Sequence, residues 1–340
     1  MAKARHESRP EHGGQVAQAA RAWGIPADQW LDLSTGISPF PWPVPDIPVA
    51  VWQRLPEEDD GLADVVRHWS GAPAACGCLP VAGSQTAIQQ LPQLYPAGRV
   101  GVPVPGYQEH GYWWHRAGHE VVPVPMASMG ADEAWLDSLD VLVWINPNNP
   151  TGLALPAEQL MRWHHRLQAR GATLVVDEAF IAHDGDESLA AHAGMPGLVV
   201  LRSLGKFFGL AGVRAGAVLG EPALVSALAG QLGPWALSGP ARYVMKQALQ
   251  DVAWQQWAQD YLHGASGRLA RLLVSQGLGK STGTHLFRYL EHPRAARLYQ
   301  TLAQQGVLVR LFENPAAIRL GLPGSEPEWR RLERALGKFD

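Results

Sequence analysis

Cysteine is nearly missing from this chain of 340 residues: Cys76 and Cys78 are the two. That pair alone builds neither a disulfide framework nor a four-ligand zinc site. Charge is also scarce. Asp, Glu, Lys and Arg make up 17% of the residues, against about 25% in ordinary soluble domains. The formal net charge of −3 leaves no basic excess to attract nucleic acid or an anionic membrane surface. No apolar run approaches the ~20 residues that cross a bilayer. The first ten residues, Met1 to Pro10, have no apolar core and do not read as a signal peptide. A reducing cytoplasm is therefore the expected setting. No repeat with a period of about 20–50 residues is visible.

What is present is a hydrophobic content of 46%, enough for a sizeable core. Fourteen Trp are included, and their number has no functional account. Pro39, Pro41, Pro43, Pro45 and Pro48 exclude helix and central strand and predict an extended connector. Beyond it lie apolar runs at 100–104, 141–145, 173–176, 198–201 and 215–219. Runs without alternation suit strands covered on both faces. Between two of them, Leu160, Trp163 and Leu167 fall at helical spacing, with Pro156 before and Gly171 after. The order predicts a mostly parallel α/β sheet. A long helical pattern runs from Ala241 to Gln276, with Gly264 and Gly267 expected to interrupt it. The tail reads as a smaller α+β unit with strands near 285–290, 307–311 and 317–320. The predicted organisation is an N-terminal segment, 1–45, joining the small domain; a large domain, 46–224; and a small C-terminal domain, 225–340.

Several candidate motifs fail. Gly279-Lys280-Ser281-Thr282 ends like a P-loop, but position 274 is Val where the pattern needs Gly, and no buried strand precedes it. His115 and His119 are four apart but lack the Glu of a zinc-binding HExxH helix, so they read as surface or core histidines. His164 and His165 are read as solvated, and Cys76 and Cys78 as loop or core thiols.

Four segments hold, by order and spacing. Asn146-Pro147-Asn148-Asn149-Pro150-Thr151-Gly152 follows a buried strand, and the C-terminal end of a parallel strand is where α/β ligand sites form. An ordinary turn is the plain alternative. Asp177 closes the next apolar run, where a carboxylate is costly unless paired; a helix N-cap is its bland reading. Lys206, in Ser203-Leu204-Gly205-Lys206-Phe207-Phe208, lies among apolar residues. A desolvated lysine becomes a nucleophilic amine, although most such lysines are surface residues with a buried stem. Arg214 offers a guanidinium for phosphate. Gly83-Ser84-Gln85-Thr86-Ala87 opens a helical run whose N–H groups can face an anion.

Asn149-Pro150-Thr151-Gly152, Asp177-Glu178-Ala179, Ser203-x-x-Lys206 and Arg214 together resemble the fold-type-I pyridoxal-phosphate enzymes of aminotransferase class I/II. The similarity runs over nearly the whole chain. His12-Gly13-Gly14, Leu31 to Pro39, and Arg54 to Leu62 are similar to the threonine-phosphate decarboxylase branch, in its aerobic cobalamin-pathway form. The resemblance implies a large domain around a mostly parallel sheet plus a smaller α+β domain. It implies pyridoxal 5'-phosphate as cofactor. Lys206 would carry it as a Schiff base, Asp177 would pair with the pyridinium nitrogen, Asn149 would bond the ring hydroxyl, and Tyr107 would stack on the ring. Lys206, Asp177 and Tyr107 form the implied catalytic set. Ser84, Gln85, Ser203 and Arg214 would hold the phosphate. Arg319 would clamp the substrate carboxylate, with His12 and Gly36 in the substrate pocket.

Phe180 stands where many aminotransferases carry a Tyr, and Leu55 where a partner-subunit Tyr often reaches the cofactor. Gly36 and Ser38 replace asparagines of the anaerobic-type decarboxylases. The implied reaction is decarboxylation of L-threonine O-3-phosphate, a small phosphorylated amino acid, with a homodimer as the form and another cobalamin-pathway enzyme as a candidate partner. Neither nucleic acid nor membrane is an expected partner, and no metal is expected. A histidinol-phosphate-type aminotransferase and a non-catalytic protein retaining the fold are the alternatives.

Overall fold

Five apolar runs of the sequence become five adjacent strands of one sheet. The computed structural model describes residues 9–126, 133–181 and 187–339. Contacts divide it into two units, one built on Trp42–Asn149 and Ala154–Gln255, the other on Glu11–Pro41, Pro150–Leu153 and the chain from Gln256 onward. A short strand, β1 (Leu31–Asp32), belongs to the second unit.

The first unit holds β2 (Gly77–Val81), β3 (Arg99–Val104), β4 (Glu120–Pro125), β5 (Val141–Ile145), β6 (Thr173–Asp177), β7 (Leu198–Ser203) and β8 (Gly216–Gly220). They form a seven-stranded sheet in the order β2-β8-β7-β6-β5-β3-β4. The pairs β3–β4, β3–β5, β5–β6 and β6–β7 are parallel, while β8 runs antiparallel to both of its neighbours. Strands β5, β6 and β8 are buried along their whole length, as continuous apolar runs require when both faces are covered. Both edge strands carry prolines, Pro80 in β2 and Pro123 and Pro125 in β4, where a missing N–H is tolerated. The core cluster takes Val100, Val102, Val141, Val143, Val175, Val199, Leu201 and Val218 from the sheet, against Ile88, Leu91 and Trp114.

The helix expected after Pro156 spans Ala157–Gln168 and buries Leu160, Trp163 and Leu167. His164 is a correction: it is buried, with Nε2 2.9 Å from Pro196 O, whereas His165 is exposed. Burial there holds the His164 pKa below its usual value. His119 is buried and His115 exposed. Part of the tryptophan content is structural: the Trp163 ring meets Trp144 edge-on at 5.0 Å and Trp135 at 5.4 Å. Burial pushes the Cys78 thiol up to about 12, which keeps it neutral and unreactive.

The long C-terminal helical pattern breaks elsewhere than expected. Helices span Gly239–Gln250 and Val252–Ser275, so Gly264 and Gly267 lie inside a helix. Each costs about 1 kcal/mol relative to Ala, too little to break a helix that buries Leu262, Leu269 and Leu273. The break is at Asp251, whose Oδ1 accepts from Trp254 N–H and whose Oδ2 accepts from Trp42 Nε1.

The second unit contains β9 (Thr282–Gly283), β10 (Phe287–Glu291), β11 (Val307–Leu308), β12 (Arg310–Phe312) and β13 (Ala317–Gly321). Four form an antiparallel sheet, β12-β13-β10-β9, and β11 pairs in parallel with β1. Lys280 precedes a strand rather than a helix, so the P-loop reading fails here too. Among the described residues, no helix is long and apolar enough to cross a membrane and no cluster could hold a metal.

Candidate active site

The sheet order collects the expected cofactor residues at one edge of the first unit. Ser84 and Gln85 follow β2, Tyr107 follows β3, Asn149 follows β5, Asp177 ends β6, Ser203 ends β7, and Lys206 follows it. These five strands share one direction. Arg214 precedes β8, and because β8 runs the other way, its beginning lies at this same edge.

Asp177 is 3% exposed. Its Oδ1 accepts from Ala179 N–H at 3.0 Å, and His110 Nε2 donates to its Oδ2 at 2.9 Å. Below it, Glu178 is also enclosed. Its carboxylate meets Arg202 Nη1 at 2.7 Å and accepts from Ser188 Oγ and Leu189 N–H. The Arg202 guanidinium lies 4.4 Å from the Trp69 ring. Lys206 Nζ lies 5.3 Å from the Phe180 ring centroid, in the segment that follows Asp177. Amine and carboxylate therefore approach one edge from neighbouring strands.

The anion cradle is built on bare backbone. Gly83 has φ +81, and a Cβ there would come within 2.7 Å of Arg214 Nη2, so the guanidinium rests where a side chain would project. Arg214 itself holds the left-handed conformation, φ 55 and ψ 61, which costs an L residue about 1–2 kcal/mol. The helix Ser84–Gln90 begins beside it, and the first N–H groups of a helix have no carbonyl to bond. Gly216 also sits tightly here, its would-be Cβ 2.8 Å from Ser84 N. Two hydroxyls, a guanidinium and a helix start fit a phosphate dianion. A buried carboxylate fits a protonated ring nitrogen. An amine against an aromatic wall fits covalent capture of an aldehyde. The donor set matches pyridoxal 5'-phosphate.

The Gln85 amide points to Glu109 and Tyr107. Asn146 organises the turn after β5: its amide bonds Leu155 in both directions, at 2.8 and 3.0 Å. His110 and Glu109 escaped the sequence reading. The available signal was two titratable residues just after Tyr107, at the opening of a helix that follows a strand.

The candidate substrate residues lie in the second unit. Arg319, on the central strand β13, is 6% exposed, and its Nη2 donates to Ser34 O at 2.7 Å. Ser34 Oγ accepts from Gly14 N–H at 2.7 Å, and Gly13 packs so closely on Ser34 that it admits no Cβ. Gly36 has φ +62 and its N lies near Gly321. The segments bearing His12, Gly36 and Arg319 therefore meet around Ser34.

The aminotransferase class I and II model matches residues 75–336. The chain belongs to this family. The family's cofactor is pyridoxal 5'-phosphate, and the family fold is the sheet described above. Within it, the chain is 51% identical over 329 residues to a threonine-phosphate decarboxylase of Pseudomonas aeruginosa, covering 97% of this chain and 98% of that protein. It is 40% identical over 338 residues to one of Sinorhizobium sp, with coverage of 97% and 98%. A solved histidinol-phosphate aminotransferase of Sinorhizobium meliloti, in complex with pyridoxal-5'-phosphate, superposes with a TM-score of 0.81 at 20% identity, covering 98% of this chain and 96% of that one. At that identity the likeness is one of fold.

Proposed function

We propose that this chain of the class I and II aminotransferase family decarboxylates L-threonine O-3-phosphate to (R)-1-aminopropan-2-ol O-phosphate and carbon dioxide. The observation that carries the reading is the 51% identity along almost the whole of both chains to a threonine-phosphate decarboxylase. The residues at the sheet edge support it.

Bound pyridoxal phosphate supplies a conjugated ring that accepts the electron pair left on the substrate Cα. Lys206 is the covalent anchor, and its Nζ carries the proton to Cα. Asp177 accepts from the ring N–H and holds the positive charge that makes the ring an electron sink; His110 fixes the orientation of that carboxylate. Asn149 bonds the ring hydroxyl and Tyr107 stacks on the ring face. Ser84, Ser203, Arg214 and the Gln85 backbone N–H hold the phosphate. Arg319 holds the substrate carboxylate, with His12 and Gly36 at the substrate. A carboxylate leaving as neutral carbon dioxide sheds its charge, so an arginine bond strongest in the ground state would slow the step. The contribution of Arg319 would therefore be to orient the substrate carboxylate.

The product would serve as the linker of the cobalamin nucleotide loop, and the cytoplasm would be its place of synthesis. A homodimer is the active form, supported by Val49, Trp52 and Leu55 of the first unit, which are 63–67% exposed. A second enzyme of the same pathway is the proposed further partner. The test is incubation of the holoenzyme with L-threonine O-3-phosphate. Carbon dioxide release with one equivalent of amino-alcohol phosphate is expected. Formation of a 2-oxo acid from a pooled amino-acid panel, without carbon dioxide, would overturn the reading in favour of transamination.

A further inference from the structure

Glu109 is 6% exposed and sits in the first turn of the helix Gln108–Arg116. One oxygen, Oε2, accepts two hydrogen bonds, from Gln85 Nε2 at 2.7 Å and from Trp113 Nε1 at 2.7 Å. Trp113 is one helical turn further on, so helix geometry fixes that donor over the carboxylate. The other end of the Gln85 amide is also engaged: Tyr107 OH donates to Gln85 Oε1 at 3.1 Å. Tyr107 precedes the helix and has extended backbone, φ −69 and ψ 109. The four groups form a directed chain, Trp113 to Glu109, Gln85 to Glu109, Tyr107 to Gln85. Every step runs from donor to acceptor, so the amide of Gln85 can take only one orientation. Reversing it would place NH2 against the Tyr107 hydroxyl and leave the carboxylate facing an amide oxygen.

The geometry points to Glu109 and Gln85 as positioning residues that hold the Tyr107 ring in place by anchoring its hydroxyl. The phenol oxygen lies on the axis of the second tyrosine torsion, so a hydrogen bond there restrains the first torsion, which swings the whole ring. Packing alone leaves the stacking ring free to swing. A hydrogen bond at the far end of the ring removes that freedom before a flat ligand arrives, and a site already ordered binds more tightly. The Gln85 side chain thereby serves the ring, while its backbone N–H remains available to the anion. This inference rests on the proposed stacking role of Tyr107.

The test uses the full-length apoprotein titrated with pyridoxal 5'-phosphate and followed by absorbance, so that affinity is read apart from turnover. The variants are Gln85→Met, Tyr107→Phe, their double variant, Glu109→Gln and Tyr107→Ala. Gln85→Met and Tyr107→Phe should each raise the dissociation constant by roughly three- to tenfold, the range of one hydrogen bond. The double variant should be no weaker than the weaker single, because both remove the same link. Glu109→Gln offers one oxygen where two donors converge and should fall between wild type and Gln85→Met. Wild-type affinity in Gln85→Met, additive effects in the double variant, or wild-type affinity in Glu109→Gln would each overturn the proposal. Wild-type affinity in Tyr107→Ala would instead remove the stacking role beneath it. Melting temperatures of the apoproteins separate these results from loss of folding.

Discussion

His110 donates through Nε2 to Asp177 Oδ2 at 2.9 Å, with side-chain exposures of 2% and 5%. Replacing His110 by Ala leaves an enclosed carboxylate oxygen without that donor, at a cost of about 1–3 kcal/mol. His110→Ala should bind pyridoxal phosphate about tenfold more weakly and turn over more slowly. Titration of the apoprotein checks the first effect and steady-state kinetics the second.

Glu178 and Arg202 form a pair from which water is excluded, with side-chain exposures of 0% and 4%. Removing one partner of such a pair typically costs about 3–5 kcal/mol, because the other charge stays buried. Glu178→Gln should therefore lower unfolding stability by about that amount in urea titration. A loss below about 1 kcal/mol, the surface-pair range, would contradict the enclosure described.

Gly83→Ala should act on the cofactor phosphate. The new methyl falls 2.7 Å from Arg214 Nη2, at a φ of +81 that L residues rarely adopt. The guanidinium must move away, and affinity for pyridoxal phosphate should fall more than that for the dephosphorylated aldehyde. Equal losses for the two ligands would show that Arg214 is not a phosphate contact.

Asp60 predicts an acid dependence of stability. Burial works to raise its pKa, but the hydrogen bond from Arg242, the Leu62 N–H and the Arg242 and Lys246 charges outweigh it and hold the carboxyl below its ordinary value. A lowered folded-state pKa stabilises the fold above the unfolded-state value and is lost as pH falls through the folded-state value. Asp60→Asn should thus be less stable than wild type at neutral pH. The two should converge as pH falls below the ordinary carboxyl range and through the lowered folded-state value. Urea midpoints across that range check the sign.

The parallel sheet was legible because its central strands are pure apolar runs: Val141–Ile145 matches the expected bounds, and β6 extends its run by Asp177 alone. The edge strands were not. Cys78-Leu79-Pro80 and Val122-Pro123-Val124 are short apolar stretches interrupted by proline, with no longer apolar run to mark them as strands. Asp177 stood out as a charged residue closing an apolar run, and Lys206 as a lysine lying among apolar residues. His110 did not, because its partner is 67 residues away and nothing local marks the pairing. Asp251 was missed as a helix boundary because the glycines at 264 and 267 were the stronger breakers by propensity, while the capping bonds to Trp254 and Trp42 depend on the folded chain.

The reversed direction of β8 has a consequence for how the site can vary. Lys206 and Arg214 sit on one connection, the stretch between Ser203 and Gly216, which leaves the sheet edge and returns to it. The spacing between the Lys206 amine and the Arg214 guanidinium is thus set by the length of a single loop. A residue inserted there changes the reach from amine to guanidinium without disturbing any strand, whereas insertions in the other edge loops leave that span untouched.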